Sequence, residues 1–187
     1  MAANRRDTLI ETASEMFNRD GYHATGIDRI LAEAGVAKMT LYKHFKSKDD
    51  LILAALRHRD RAFRDRLARQ VETRAETPAA QLLAVFDVLD EWFGERGFFG
   101  CMFTNAAAEY AAPQDPIHVA AGEHKHLILK YLRELAARAG ATKPRELAAG
   151  LMLLAEGAIV MAHVAGERGA AKLAKRTARQ LMENAGL

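Results

Sequence analysis

Apolar residues recur at intervals of three and four along this chain, and glycine or proline interrupts the pattern at each change of phase. That spacing gathers apolar side chains on one stripe of a helix, whereas a strand needs strict alternation. Ile10, Ala13 and Phe17 make the first stripe, over about residues 5–20, and Gly21 ends it. Ile27, Ile30, Leu31 and Ala34 make the second, with Thr25 as the expected cap, Asp28 in the first turn and Gly35 at its end. A short third helix covers 37–44, with Leu41 and Phe45 facing inward. Ser47 caps a fourth, whose apolar face runs from Ile52 to Leu67.

The rest reads the same way. Thr77-Pro78 opens a helix burying Leu82, Val85, Phe86, Leu89 and Phe93, since proline is well tolerated at a first helical position. Helices are expected over 101–112, closed by Pro113 and Pro116, and over 117–139, ended by Gly140. Lys143-Pro144 opens a very apolar one to about 165, and the last covers about 170–185. There is no strand pattern, no internal repeat and no low-complexity tract. With only 4 prolines in 187 residues and 50% hydrophobic residues, the expectation is an all-α chain with a substantial core.

Charge locates the functional segment. The formal net charge of +3 permits nucleic-acid binding without arguing for it, so the distribution decides. Two short helices meet at a tight turn around Gly35-Val36, the spacing of a helix-turn-helix whose second helix can enter a major groove. Between positions 36 and 48 stand Lys38, Lys43, Lys46 and Lys48 and no acid, with Thr40, Tyr42 and His44 among them. Duplex DNA carries a phosphate charge about every 1.7 Å of axis, so a local patch of this kind is enough to bind it. A solvated, charged helix pair is the competing reading.

Gly35-Val-Ala-Lys-Met-Thr-Leu-Tyr-Lys-His-Phe-Lys-Ser-Lys-Asp-Asp-Leu51 resembles the DNA-binding signature of TetR-type repressors. The likeness extends back through Ile30-Leu-Ala-Glu-Ala and Ala13-x-x-Met-Phe-x-x-x-Gly21-Tyr-x-x-Thr25, about the first 55 residues. It implies a nine-helix fold, with a helix-turn-helix domain over 1–48 and an effector-binding and dimerisation domain over 49–187. By position it implies that Thr25, Tyr42, His44 and Lys48 contact phosphates, and that Lys38, Met39, Thr40 and Lys43 read bases. Arg5 and Arg6 are candidates for a backbone-contacting arm. Two residues depart from the pattern: Ala37 stands where a capping serine is common, and Met39 where a small residue is common.

Beyond residue 90 the aromatics, 7% of the chain, concentrate: Trp92, Phe93, Phe98, Phe99, Phe103 and Tyr110, with Cys101 and Met102 among them. Methionine and aromatics line adaptable cavities, and a few polar groups orient a ligand there. The expected effector residues are therefore Trp92, Cys101, Phe103, Asn105, Glu109, Tyr110 and His124, with Asn105 and Glu109 four apart on one face. Simple core is the alternative. Leu147, Leu151, Leu154, Ala158 and Met161 are the expected dimer contacts, the small residues letting a partner helix approach closely.

These features point to a homodimeric, cytoplasmic regulator that binds double-stranded operator DNA and a small apolar or amphipathic effector, without cofactor or membrane. No apolar run is expected to reach the roughly 20 residues that span a bilayer. A single cysteine, Cys101, fits a reducing compartment. Two alternatives differ in class. Cys101, His124 and Glu109 can be drawn as nucleophile, base and orienter of an enzyme, but no nucleophile motif surrounds Cys101. His118, His124, His126 and Glu109 invite a metal-responsive reading, but residues two apart point to different sides of a helix.

Overall fold

The computed structural model describes residues 4–187, and among these it holds nine helices. They are α1 (Arg5–Asp20), α2 (Ile27–Ala34), α3 (Lys38–His44), α4 (Lys48–Arg74), α5 (Pro78–Gly94), α6 (Met102–Glu109), α7 (Pro116–Ala139), α8 (Pro144–Val164) and α9 (Ala170–Asn184).

The chain divides into two compact units. The first holds the described residues up to Ala62 together with Met102–His124: α1, α2, α3, the start of α4, α6 and the start of α7. The second holds Phe63–Cys101 and Lys125–Leu187. In the first, α1 packs on α2 and α3, and Leu9, Ala13, Phe17, Ile30, Leu41, Leu51 and Ile52 make the core. In the second, α5, α8 and α9 pack on one another around Leu82, Phe86, Leu151 and Ala178.

Most ends have local causes. Thr77 caps α5 by accepting from Ala80 N, and Pro78 opens it. Ser47 Oγ accepts from Asp50 N at 3.1 Å, while the Asp50 carboxylate accepts from Lys46 N at 3.0 Å, a reciprocal exchange like a capping box. The α2 start departs from expectation. Gly26 is its N-cap and no side chain caps it, because the Thr25 hydroxyl donates instead to Gly21 O at 2.7 Å. Helix α6 is also shorter than expected, ending at Glu109 well before Pro113.

The α8 helix corrects two expectations. With 21 residues it is long and apolar enough, by length and composition, to cross a membrane. Counting uninterrupted apolar residues missed this, because Glu156 and two glycines lie within it. In the second unit it is a core helix, burying Leu147, Ala148, Leu151, Ala155, Ala158 and Ile159. Leu147, Leu151 and Ala158 therefore belong to the chain's own packing and are not free for a partner, and Leu154 is half-buried. Met161 is exposed, and it shares a face with Leu153, Val160 and Val164.

Candidate nucleic-acid interface

The helix-turn-helix is built from three constraints. Gly35 adopts φ 63° and ψ 34° after α2, a left-handed conformation that favours glycine, and its amide reaches back to the last turn. Leu41 is fully buried and Phe45 nearly so, which holds α3 against its neighbours by one side. Ala37 is the α3 N-cap and makes no side-chain cap bond. The opposite side of α3 consequently faces outward. Lys38, Met39, Tyr42, Lys43 and His44 are exposed, and Thr40 is half-buried. Lys38 Nζ lies 3.3 Å from Asp28 Oδ1, and Lys48 Nζ donates to His23 O at 3.4 Å. The Arg6 guanidinium stands 5.5 Å over the Phe45 ring, adding a cation beside the end of α3. Thr25 is removed from this surface: it is fully buried, and its hydroxyl is already engaged with Gly21 O.

A second feature went unread in the sequence. Glu109, at the end of α6, accepts from Tyr22 N at 2.8 Å and His23 N at 2.6 Å. Its carbonyl lies 3.1 Å from His23 Nε2, and Tyr22 OH donates to Met102 O at 2.9 Å. The Tyr110 ring stacks on His23 at 4.8 Å, and its hydroxyl donates to Asp49 at 3.4 Å. Burial, with the Asp49 carboxylate beside it, pushes the Tyr110 phenol up to about 12. Gly21, at φ 86°, leaves room for this clamp, since a Cβ there would stand 3.0 Å from Glu109 Oε1. Both ends of α6 thus grip the loop between α1 and α2. No spacing rule announces a contact between residues 22 and 109.

The expected effector residues divide between the two units, Trp92 and Cys101 in the second and Phe103, Asn105, Glu109, Tyr110 and His124 in the first. Trp92 is buried among Phe63, Phe93 and Phe98, with ring centroids at 5.5, 6.0 and 5.0 Å. Cys101 Sγ accepts from Lys125 Nζ at 3.1 Å, and the same ammonium pairs with Glu156 at 2.7 Å. Burial opposes the charge on Lys125, but Cys101 and Glu156 outweigh it and hold the ammonium above the usual lysine range. Phe103 stacks on His124 at 3.6 Å, and His124 Nδ1 lies 2.8 Å from Asp60 Oδ1. Asn105 is half-buried. Glu109 and Tyr110 are committed to the loop clamp. The second unit contains a pocket of about 220 Å³ beside Leu67, Ile128 and Tyr131. Another, of about 200 Å³, lies beside Leu147, Gly150 and Leu181, and neither pocket includes an expected effector residue.

Residues 9–55 match the family model of bacterial regulatory proteins of the tetR family. The crystal structure of SCO4454, a TetR-family transcriptional regulator from Streptomyces coelicolor, superposes with a TM-score of 0.90. It is 32% identical, over 98% of this chain and 96% of that one. The chain belongs to the tetR family. It is a DNA-binding transcriptional regulator with the family's all-α architecture, and its relatives in fold and sequence are regulators. Regulatory protein TetR from Rhodobacter sphaeroides is 26% identical with a TM-score of 0.80, over 94% of this chain and 97% of that one. The HTH-type transcriptional activator FasR of Mycolicibacterium smegmatis is 54% identical over 57 residues, 30% of this chain and 26% of FasR. The fatty acid metabolism regulator protein of Bacillus subtilis is 30% identical over 67 residues, 36% of this chain and 34% of that protein. The chain thus spans about a third or less of these two curated relatives.

Proposed function

We propose that the protein is a homodimeric, cytoplasmic repressor that leaves its operator when a small apolar or amphipathic effector binds. The observation that carries this reading is the α3 surface: Leu41 and Phe45 anchor the helix, and Lys38, Met39, Tyr42, Lys43 and His44 stand outward with no acid among them. Lys43 suits guanine acceptors and Thr40 a phosphate or base edge, while Tyr42, His44 and Lys48 suit phosphates. In a dimer, two such helices meet successive major grooves when spaced by about 34–36 Å.

The dimer reading rests on α8 and α9. Leu153, Val160, Met161 and Val164 lie at i, i+7, i+8 and i+11, a single exposed apolar face, and Leu173 of α9 is exposed as well. An effector acts only through its different affinity for the two spacings of the recognition helices. Helix α4 runs unbroken from Lys48 to Arg74 and is the proposed lever, while Glu109 passes α6 displacement to the loop before α2. We assign the effector to the helices after residue 48, with domains divided as the family implies. Trp92 and Cys101 remain wall candidates. An acyl compound is the first to try, given the name of the Bacillus subtilis relative.

The test is a gel shift with duplex DNA from the gene's own upstream region, beside light scattering of the free protein. A shift by a dimer, weakened steeply by salt and relieved by an effector that also changes Trp92 fluorescence, is the expected result. A stable monomer at micromolar concentration, or no shift at low salt, would overturn the reading.

A further inference from the structure

Met39 is 86% exposed, on a chain whose other large apolar residues of the first unit are mostly buried. It stands in the first turn of α3, with Lys38 beside it held toward Asp28 at 3.3 Å. The side of α3 that packs is occupied by Leu41 and Phe45, so Met39 contributes nothing to holding the helix in place. An unbranched apolar side chain left in water loses the gain that burial would bring. Its position leaves it open to an apolar surface that arrives with a ligand.

The N-terminal residues of a recognition helix meet the edges of the bases. Every base edge in the major groove presents hydrogen-bond donors or acceptors, and one base adds an apolar group, the C5-methyl of thymine. A thioether on three rotatable bonds is polarizable and reaches past the helix backbone to such a group. It cannot satisfy a guanine or adenine edge with a donated hydrogen bond. We propose that Met39 is the apolar base reader of this protein and selects a C5-methylated pyrimidine, thymine in ordinary DNA, at one place in each half-site. The inference rests on α3 being the helix that enters the groove.

The full-length protein is used to select duplexes from a random library, and the enriched operator is then resynthesised with single-base replacements. Thymine is expected at a fixed place in each half-site. Deoxyuridine there removes the methyl group and nothing else, and should weaken binding by roughly fourfold per half-site, the value of one buried methyl. At the same place, 5-methylcytosine should bind better than cytosine by a similar factor. Met39→Ala shortens the side chain, and Met39→Gln keeps its length while making its end polar. The position is solvent-facing, so both variants fold, and both should bind thymine and uracil operators alike with an unchanged salt dependence. Equal binding of thymine and uracil operators by the unmodified protein would overturn the proposal, as would a methyl preference that persists in both variants. Failure to enrich any duplex removes the docking of α3 as well. Enrichment without a methyl preference removes the role of Met39 alone and leaves the docking in place.

Discussion

Two surfaces of this protein expose large apolar side chains, and their surroundings give them different partners. On α3, Met39 and the half-exposed Tyr42 stand with Lys38 and Lys43, and Lys46 and Lys48 follow the helix in the chain. On α8, Leu153 and Val164, 74% and 78% exposed, stand with Val160 and Met161 on a face without charge. Between Leu147 and Val164 the only Lys, Arg, Asp or Glu is Glu156, and its carboxylate is turned onto Lys125. An apolar group among cations suits a polyanion with apolar details, which is what a major groove offers. An uncharged apolar face suits a matching face on a second copy, because nothing on it repels its own image.

The largest effect should come from placing charge on the α8 face. Leu153→Asp puts an unpaired carboxylate into the proposed dimer contact, where such a charge costs on the order of 3–5 kcal/mol. Light scattering should show a monomer, and operator affinity should fall at least a hundredfold. Leu151→Asp should instead unfold the chain, since Leu151 is fully buried within it. A Leu153→Asp protein that stays dimeric would remove α8 from the interface and erase the contrast between the two surfaces.

Next is the clamp on the loop between α1 and α2. Glu109→Ala leaves the amides of Tyr22 and His23 without their acceptor; the part-buried Tyr22 amide carries most of the cost, about 1–3 kcal/mol for a fully buried group, while water can reach the exposed His23 amide. The expected outcome is a lower melting temperature and weaker DNA binding with the dimer intact, read by calorimetry, gel shift and light scattering on one sample. Unchanged melting and DNA affinity would show that α6 does not hold the reading head.

The helix positions were legible in the sequence because their causes are local: Thr77-Pro78, Ser47 with Asp50, and Gly35 each mark an end through neighbours in the chain. The α3 surface was legible for the same reason, since a helix pinned by Leu41 and Phe45 turns Met39, Tyr42 and Lys43 outward. The clamp was not, because Glu109 finds Tyr22 across 87 positions of sequence. The buried side of α8 was not legible either. In a helix apolar all round, nothing in the pattern separates Leu151, which is core, from Leu153, which is surface. The same blindness applies to the expected effector residues, whose aromatic character is shared by packed core.

Smaller effects separate the cations, Lys43 of α3 and Lys48 at the start of α4, from the other groups of the surface. Lys43→Ala and Lys48→Ala each remove a charge proposed to displace a counterion from DNA. Each should weaken binding several-fold and reduce the slope of log affinity against log salt by about one, measured by anisotropy titrations across salt. Neither should alter the dimer. Salt itself should act oppositely on the two surfaces, weakening DNA binding steeply while leaving association through α8 unchanged or slightly strengthened.

The smallest expected effect is the most discriminating. Tyr42 is half-exposed, and its phenol belongs to the α3 surface without belonging to its charge. Tyr42→Phe keeps the ring and removes only the hydroxyl. If that hydroxyl donates to a phosphate oxygen, the loss is that of one hydrogen bond, about 0.5–1.5 kcal/mol, or roughly two- to tenfold in affinity. A neutral donor releases no counterion, so the salt slope should not move. The pair of results therefore separates two contributions that a single affinity would merge: lysines that lower affinity together with the slope, and a phenol that lowers affinity alone. An unchanged affinity in Tyr42→Phe would place the ring, like the methionine beside it, among the apolar parts of the reading surface. A changed slope would mean that the helix had shifted and carried its lysines with it, and the outward face of α3 would then have to be redrawn from Leu41 onward.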